Sequence, residues 1–130
     1  MKRAPICVTD FDMQRLRKLL GETLTPIQPH MEYLLDQAVL VSPEKVPVDF
    51  VTLNTRLRIK DVGSGEEQSI QLVFPGDADP TCGKVSIFTP LGAALIGRSA
   101  GVTVECRISS EARFLLIEEI TYQPEAEGLL

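Results

Sequence analysis

The chain has no tryptophan, one histidine, three cysteines and only 5% aromatic residues. With so few rings, aliphatic side chains must fill any core, and a hydrophobic content of 44% is enough to build one. Cys7, Cys82 and Cys106 are odd in number, far apart and form no CxxC. That pattern argues against a disulfide framework or a structural zinc site and fits a reducing, cytoplasmic setting. GxxxxGK[ST], GxGxxG and HExxH are all absent, so a nucleotide-cradling loop or a zincin centre has no support. His30 is the sole imidazole, and a His–Cys nucleophile pair would need an orienting partner as well. No catalytic residues, cofactor or metal are therefore expected. No apolar run nears the ~20 residues that a bilayer span requires, so no membrane association is expected. Met1–Pro5 starts basic, but no apolar stretch follows, which argues against a secretory leader.

Positive charge is also scarce, and the net charge is −5. Phosphate neutralisation dominates nucleic-acid affinity, so a general or sequence-specific DNA or RNA binder is disfavoured. The deficit is local. Residues 1–46 balance six basic side chains against six acidic ones, whereas residues 47–130 set seven against twelve. The acidic second part suits a partner with a basic patch, or simply solubility.

The chain is organised around Lys84–Gly97. Val85 and Ile87 alternate with Lys84 and Ser86 as in a strand. Thr89 offers a hydroxyl as helix N-cap, and Pro90 suits the first helical position. Leu91, Ala94 and Leu95 share one face, and Gly97 closes the short helix. On pattern alone this stretch is either the core of a small β domain or a functional motif.

Upstream, Thr9 reads as the N-cap of a helix with Asp10 and Asp12 in its first turn. Met13, Leu16 and Leu20 form its apolar stripe, and Gly21 is expected to end it. Gly21–Pro29 reads as a connector broken by Pro26 and Pro29. A second helix is expected from His30, with Met31, Leu34, Leu35 and Ala38 facing inward. Together they predict an antiparallel helical hairpin, a short coiled coil. Ser42–Val48, with Pro43 and Pro47, reads as the linker, which divides a hairpin unit (1–46) from a sheet unit (47–130).

In the sheet unit the period becomes two-fold. Phe50–Leu53 and Thr55–Lys60 read as strands, with a bulge or kink at Asn54. Asp61–Gly65 reads as a hairpin turn, Gln68–Phe74 as the returning strand and Pro75–Pro80 as a loop. Val102–Ile108 and Phe114–Tyr122 read as the last strands, with a turn at Ser109–Arg113 and a loose tail ending in a leucine pair. The expected fold class is α+β: the hairpin, then an antiparallel sheet covered by one short helix. Asp77 and Asp79 suit a basic partner, Asx-type turns or, with least support, a cation. Glu118 and Glu119 are adjacent on a strand and are expected on opposite faces.

From Val51 onward the chain resembles the C-terminal domain of the bacterial Gre transcript-cleavage factors. The residues that carry this are Asp77-Ala-Asp79, Gly83-Lys-Val-Ser-Ile87, Thr89-Pro-Leu-Gly92, Ala94-Leu95, Gly97 and Gly101. The Ser42-Pro-Glu44 and Pro47 linker and the ending Tyr122–Ala126 resemble a short-hairpin branch named for regulating nucleoside diphosphate kinase. The resemblance implies an FKBP-like domain behind the hairpin. It implies a monomer bound to RNA polymerase at the rim of its secondary channel. Docking would use Ser86, Phe88, Thr89 and Pro90, with Asp77 and Asp79 beside them. Phe88 stands where the family usually has a polar residue, and Val102 where it usually has Asp. Gre factors deliver hairpin-tip acids to a catalytic Mg²⁺ in the polymerase, but this connector carries only Glu22 on a short arm. The implied function is competition with Gre-type factors without transcript cleavage, and an indirect effect on nucleoside diphosphate kinase level. A reading of another class is prolyl-peptide binding or isomerisation. It needs an aromatic-lined pocket drawn from Phe50, Phe74, Phe88, Phe114 and Tyr122. A third is a structural module with some other protein partner.

Overall fold

The computed structural model describes residues 6–22, 27–108, 111–126 and 128. Met1–Pro5, Pro26, Ser109, Ser110 and the final leucine pair lie outside the described residues. The first elements are β1 (Cys7–Thr9), α1 (Asp10–Glu22), α2 (Gln28–Gln37) and β2 (Val39–Val41). They are followed by β3 (Arg56–Asp61), β4 (Glu67–Val73), β5 (Lys84–Ser86), α3 (Pro90–Leu95), β6 (Thr103–Ile108) and β7 (Glu111–Tyr122). The class is α+β.

Local chemistry starts α1 where expected. The Asp12 N–H donates to Thr9 Oγ1 at 3.0 Å, so Thr9 is the N-cap. Gly21 does not end the helix. It lies within α1, which runs on to Glu22. Pro29 is not a breaker either, because it sits in the first turn of α2, where no N–H is needed. Leu20 O accepts from Gln28 Nε2, so the end of α1 meets the start of α2, and Arg17 in mid-α1 pairs with Asp36 near the end of α2 at 2.7 Å. Leu16, Leu20, Met31, Leu34 and Leu35 are buried in one apolar cluster.

The apolar run after α2 forms β2, which pairs in parallel with β1, Val8 opposite Leu40. No sequence period announces this pairing, because each strand is three residues long.

The second sheet has the order β5-β4-β3-β7-β6. It is mixed rather than antiparallel, since β5 pairs in parallel with β4 at the edge. The return between them needs no long crossover. Pro75 and Pro80 each open a 3-10 turn, and Gly83 reverses the chain at φ +72°. Phe50–Leu53 is not a strand. Phe50 makes one isolated bridge to Ser99, and the Thr52 N–H donates to Thr55 Oγ1 at 2.9 Å. Those hydroxyls offer the backbone a turn instead of a ladder. Asn54 kinks the chain there at φ +68°. β7 begins at Glu111, so Glu111–Arg113, expected in a turn, already belong to a strand.

The β3–β7 register shifts twice. Arg58 opposes Glu119 while Ile59 opposes Ile117, leaving Glu118 as an extra residue. Both glutamates therefore reach one partner, Arg58, at 3.4 and 3.1 Å, rather than facing opposite sides.

The inner face of the five-stranded sheet (Leu57, Ile59, Ile70, Leu72, Leu115, Ile117) shares one apolar cluster with α3, α1 and α2. The close approach lies at Gly97, at φ +74° just beyond α3. Its N–H donates to Val51 O at 2.9 Å, and its O accepts from the Cys7 N–H at 3.2 Å. A Cβ there would stand 2.6 Å from Ile6 Cβ and 2.8 Å from both Cys7 N and Cys7 O. Gly97→Ala combines left-handed strain with overpacking against backbone, each about 1–3 kcal/mol. A loss of roughly 3 kcal/mol is expected in urea unfolding, whereas Gly21→Ala, with nothing near its Cβ, should be neutral or mildly stabilising.

Candidate functional site

The Ser86–Pro90 segment is built by its own hydrogen bonds. The Ile87 N–H donates to Val73 O at 2.9 Å, which pins the end of β5 to β4. The Phe88 N–H donates to Ser86 Oγ at 3.1 Å. Thr89 Oγ1 donates to Ser86 O at 2.7 Å and accepts the Gly92 N–H at 3.1 Å, capping α3. Gly92 lets the helix press on the strand, since a Cβ there would stand 2.3 Å from Ser86 O. Ile87 is fully buried, Ser86, Phe88 and Thr89 are half-buried, and Pro90 is exposed. The four expected docking residues thus form one continuous ledge from sheet edge to helix start.

Asp79 adjoins this ledge, because its backbone exchanges hydrogen bonds with Lys84, each 3.0 Å. Its carboxylate is used within the loop, accepting from Thr81 N at 3.1 Å and Thr81 Oγ1 at 2.6 Å. The Thr81 hydroxyl, then the Cys82 thiol, hold that carboxyl below the usual carboxylate range. This is the Asx-type turn. Asp77 is exposed in the preceding 3-10 turn. Among the described residues no cluster of three or more His, Cys, Asp or Glu side chains could hold a metal ion.

Glu22 is exposed at the end of α1. A cleft of about 340 Å³ lies between Ile27 and His30 of the hairpin and Pro90, Ala94 and Arg107. The connecting end of the hairpin therefore lies beside the ledge, a juxtaposition the sequence does not show.

A second group escaped sequence reading altogether. Asp12 is 1% exposed and pairs with Arg15 at 2.5 Å. Its other oxygen accepts the Leu53 N–H at 3.4 Å, which links α1 to the turn before β3. The Arg15 guanidinium lies between the Phe11 and Phe74 rings, 4.3 and 4.5 Å from their centroids. Glu125 receives the Thr52 hydroxyl at 2.6 Å. Burial pushes the Glu125 carboxyl above its ordinary range, and the nearby Asp12 charge adds to that. The only sequence signal was Asp12 at the third position after the cap.

The expected aromatics are not gathered. Phe74 packs on Arg15, Tyr122 lies under Arg56, and Phe114 is 51% exposed. A cleft of about 430 Å³ between the sheet and α3 has Ile59, Leu91 and Leu115 with Glu66, Glu67 and Arg113, and no aromatic residue lines it.

The GreA/GreB transcription elongation factor C-terminal family matches residues 46–122. The chain belongs to the GreA/GreB family. Over 132 aligned residues it is 33% identical to the regulator of nucleoside diphosphate kinase of Escherichia coli K12, covering 98% of this chain and 97% of that protein. With GreA of Clostridioides difficile it shares 33% over 89 residues, 68% of this chain and 56% of that GreA. Among solved structures, the GreA/GreB elongation factor from Nitrosomonas europaea matches with a TM-score of 0.79 at 33% identity, covering 92% of this chain and 100% of that one. GreA factor homolog 1 of Thermus thermophilus is similar in fold alone, with a TM-score of 0.50, 19% identity, and 92% and 100% coverage. These relatives are elongation factors and regulators by name, and none is named as an enzyme.

In this GreA/GreB family member the cap of the ledge is separable from its surface. Thr89→Ala should cost about 1 kcal/mol by urea unfolding, as cap losses do. Glu125 gives a pH test. Its raised pKa means ionisation costs more in the folded than in the unfolded chain. That penalty applies above the folded pKa and is relieved as pH falls through it. Glu125→Gln should therefore raise the urea midpoint at neutral pH, and the gain should shrink as the pH falls toward the ordinary carboxylate range.

Proposed function

We propose that this chain is a non-enzymatic transcription regulator that binds RNA polymerase at the rim of its secondary channel and competes there with Gre-type factors without stimulating transcript cleavage. The observation that carries this reading is a rigid capped ledge, Ser86–Pro90, combined with a short arm. α1 has 13 residues, about 20 Å at 1.5 Å per residue. Glu22 is the one acid of the predicted connector, and a lone carboxylate does not complete a magnesium site. The hairpin (1–46), read as a short coiled coil, would be the arm, and an FKBP-like unit (47–130) would be the anchor. Pro90 and Phe88 would supply apolar contact and Asp77 a charge, whereas Asp79 and Thr89 would position the segment. The chain would act as a monomer within the cytoplasm. Any effect on nucleoside diphosphate kinase level would be indirect, since only the name of the Escherichia coli relative points to it.

The prolyl-peptide alternative loses ground, because the aromatic side chains it requires are dispersed among other contacts. The test is binding to bacterial core RNA polymerase with a Gre factor as competitor. Pro90→Glu suits it, since Pro90 is exposed and an acid at a first helical position keeps the helix. Displaceable binding, weakened about tenfold or more by Pro90→Glu at an unchanged melting temperature, is expected. No binding at micromolar protein, or transcript cleavage that Glu22→Ala abolishes, would refute the proposal.

A further inference from the structure

The outer face of the five-stranded sheet carries a rung that the core does not use. Lys84 is the register partner of Gln71, Gln71 of Arg56, and Arg56 of Tyr122. Register partners on neighbouring strands project to one side, so cation, amide, cation and ring lie in a row across four strands. The opposite side holds buried Leu57, Ile70 and Leu72. Strands are about 4.8 Å apart, so Lys84 and Arg56 flank Gln71 with Cα atoms about 10 Å apart. Both long side chains can close on one group between them.

A depression of about 260 Å³ lies on this rung, with Arg56, Lys84, Ser69, Gln71 and Thr121 in its lining. Thr121 reaches it through a register shift, because Arg56 opposes Tyr122 while Leu57 opposes Ile120. Beside Ile70 and Cys82, the lining holds two cations, two hydroxyls and the Gln71 amide, whose Nε2 donates one hydrogen bond to Asn54 O at 3.1 Å and keeps a second N–H, and no carboxylate. Neither Arg56 nor Lys84 makes an ion pair among the described residues, on a chain of net charge −5. The nearby acids are engaged elsewhere: Glu118 and Glu119 hold Arg58, and the Asp79 carboxylate caps Thr81. Arg56 is also oriented, with its guanidinium 5.3 Å from the Tyr122 ring centroid.

We propose that this rung is a phosphate-binding site, formed by Arg56 and Lys84 with the Ser69 and Thr121 hydroxyls and the Gln71 amide. A planar guanidinium grips two phosphate oxygens at once, and an ammonium adds a point charge from the other side. The volume falls below the 300–1,000 Å³ typical of drug-sized pockets, so it suits a phosphate or pyrophosphate group rather than a buried organic ligand. That group comes either from free polyphosphate or from a nucleotide whose base lies outward over Tyr122.

The experiment is calorimetric titration of the full chain, at low ionic strength, with inorganic phosphate, pyrophosphate, ADP and an oligoglutamate peptide. Saturable pyrophosphate binding is expected, weakened at least about tenfold by Arg56→Gln with Lys84→Gln. Both side chains are exposed, so the melting temperature should hold. ADP binding tighter than pyrophosphate points to a nucleotide, and equal affinity points to free polyphosphate. No saturable binding by any phosphate probe overturns the site, as does unchanged affinity in the double variant or a preference for oligoglutamate. If the double variant does not fold, Lys84→Gln alone decides, since it must still lower the affinity.

Discussion

Gly97 sits where two parts of the chain come within backbone distance. Its amide reaches Val51 on one side, and its carbonyl receives Cys7 on the other. Cys7 belongs to β1, and β1 runs without a linker into α1. Holding Cys7 therefore fixes where the Thr9 cap stands and where the hairpin begins. On its other flank Gly97 follows directly from α3, whose start is the Thr89 cap. The start of α1 and the end of α3 are thus linked through a residue that has no side chain. A methyl group at that point would have to displace backbone, which does not yield as a flexible side chain does.

The Asp12–Arg15 pair makes a second tie, between α1 and the Val51–Asn54 turn, and its physics differs. A buried ion pair is weak grounds for stability, since desolvation offsets most of the attraction. What favours this one is its surroundings. Asp12 also accepts the Leu53 N–H, and Arg15 packs on two rings while its side chain stays 39% exposed, although its Nε is buried without a partner among the described residues. Removing Arg15 would strand a buried carboxylate, whereas removing both would leave mainly a packing defect. The pair therefore works chiefly to fix the orientation of α1 against the Val51–Asn54 turn. Glu125 lies close enough to this pair that the Asp12 charge raises its carboxyl and the Arg15 charge lowers it.

What was legible in the sequence was local. Thr9 and Thr89 announce their helices because a cap is a contact three residues long. Asp61 announces its turn in the same way, receiving Gly63 and Ser64 N–H groups at 2.8 and 3.2 Å. Gly97 reads correctly as a helix stop, but its closeness to Ile6 is set by residues ninety positions away. The misreadings share that cause. Gly21 and Pro29 look like breakers by composition, yet α1 continues past Gly21 to Glu22, with Leu20 buried beside it, and Pro29 sits in the first turn of α2, where no N–H is needed. Phe50–Leu53 looks like a strand by propensity, but Thr52 and Thr55 satisfy its backbone first. Parallel pairing of β1 with β2 and of β5 with β4 has no sequence period at all. For the ledge, residue identities were readable, whereas its nearness to the hairpin end was not.

The two register shifts in β7 show how one device yields opposite electrostatic results. Each places an extra residue opposite an arginine of β3. At Arg58 the extra residue is Glu118, and with Glu119 it surrounds the guanidinium with two carboxylates. At Arg56 the extra residue is Thr121, and the direct partner is Tyr122, so the guanidinium is oriented but not neutralised. Two turns of one strand thus make one arginine part of the scaffold and leave the other as available charge. A sheet that needed only solubility on this face has no reason to treat them differently, because exposed ion pairs contribute little either way. The difference has consequences only where something anionic meets Arg56, and Lys84 stands across the same rung to meet it too.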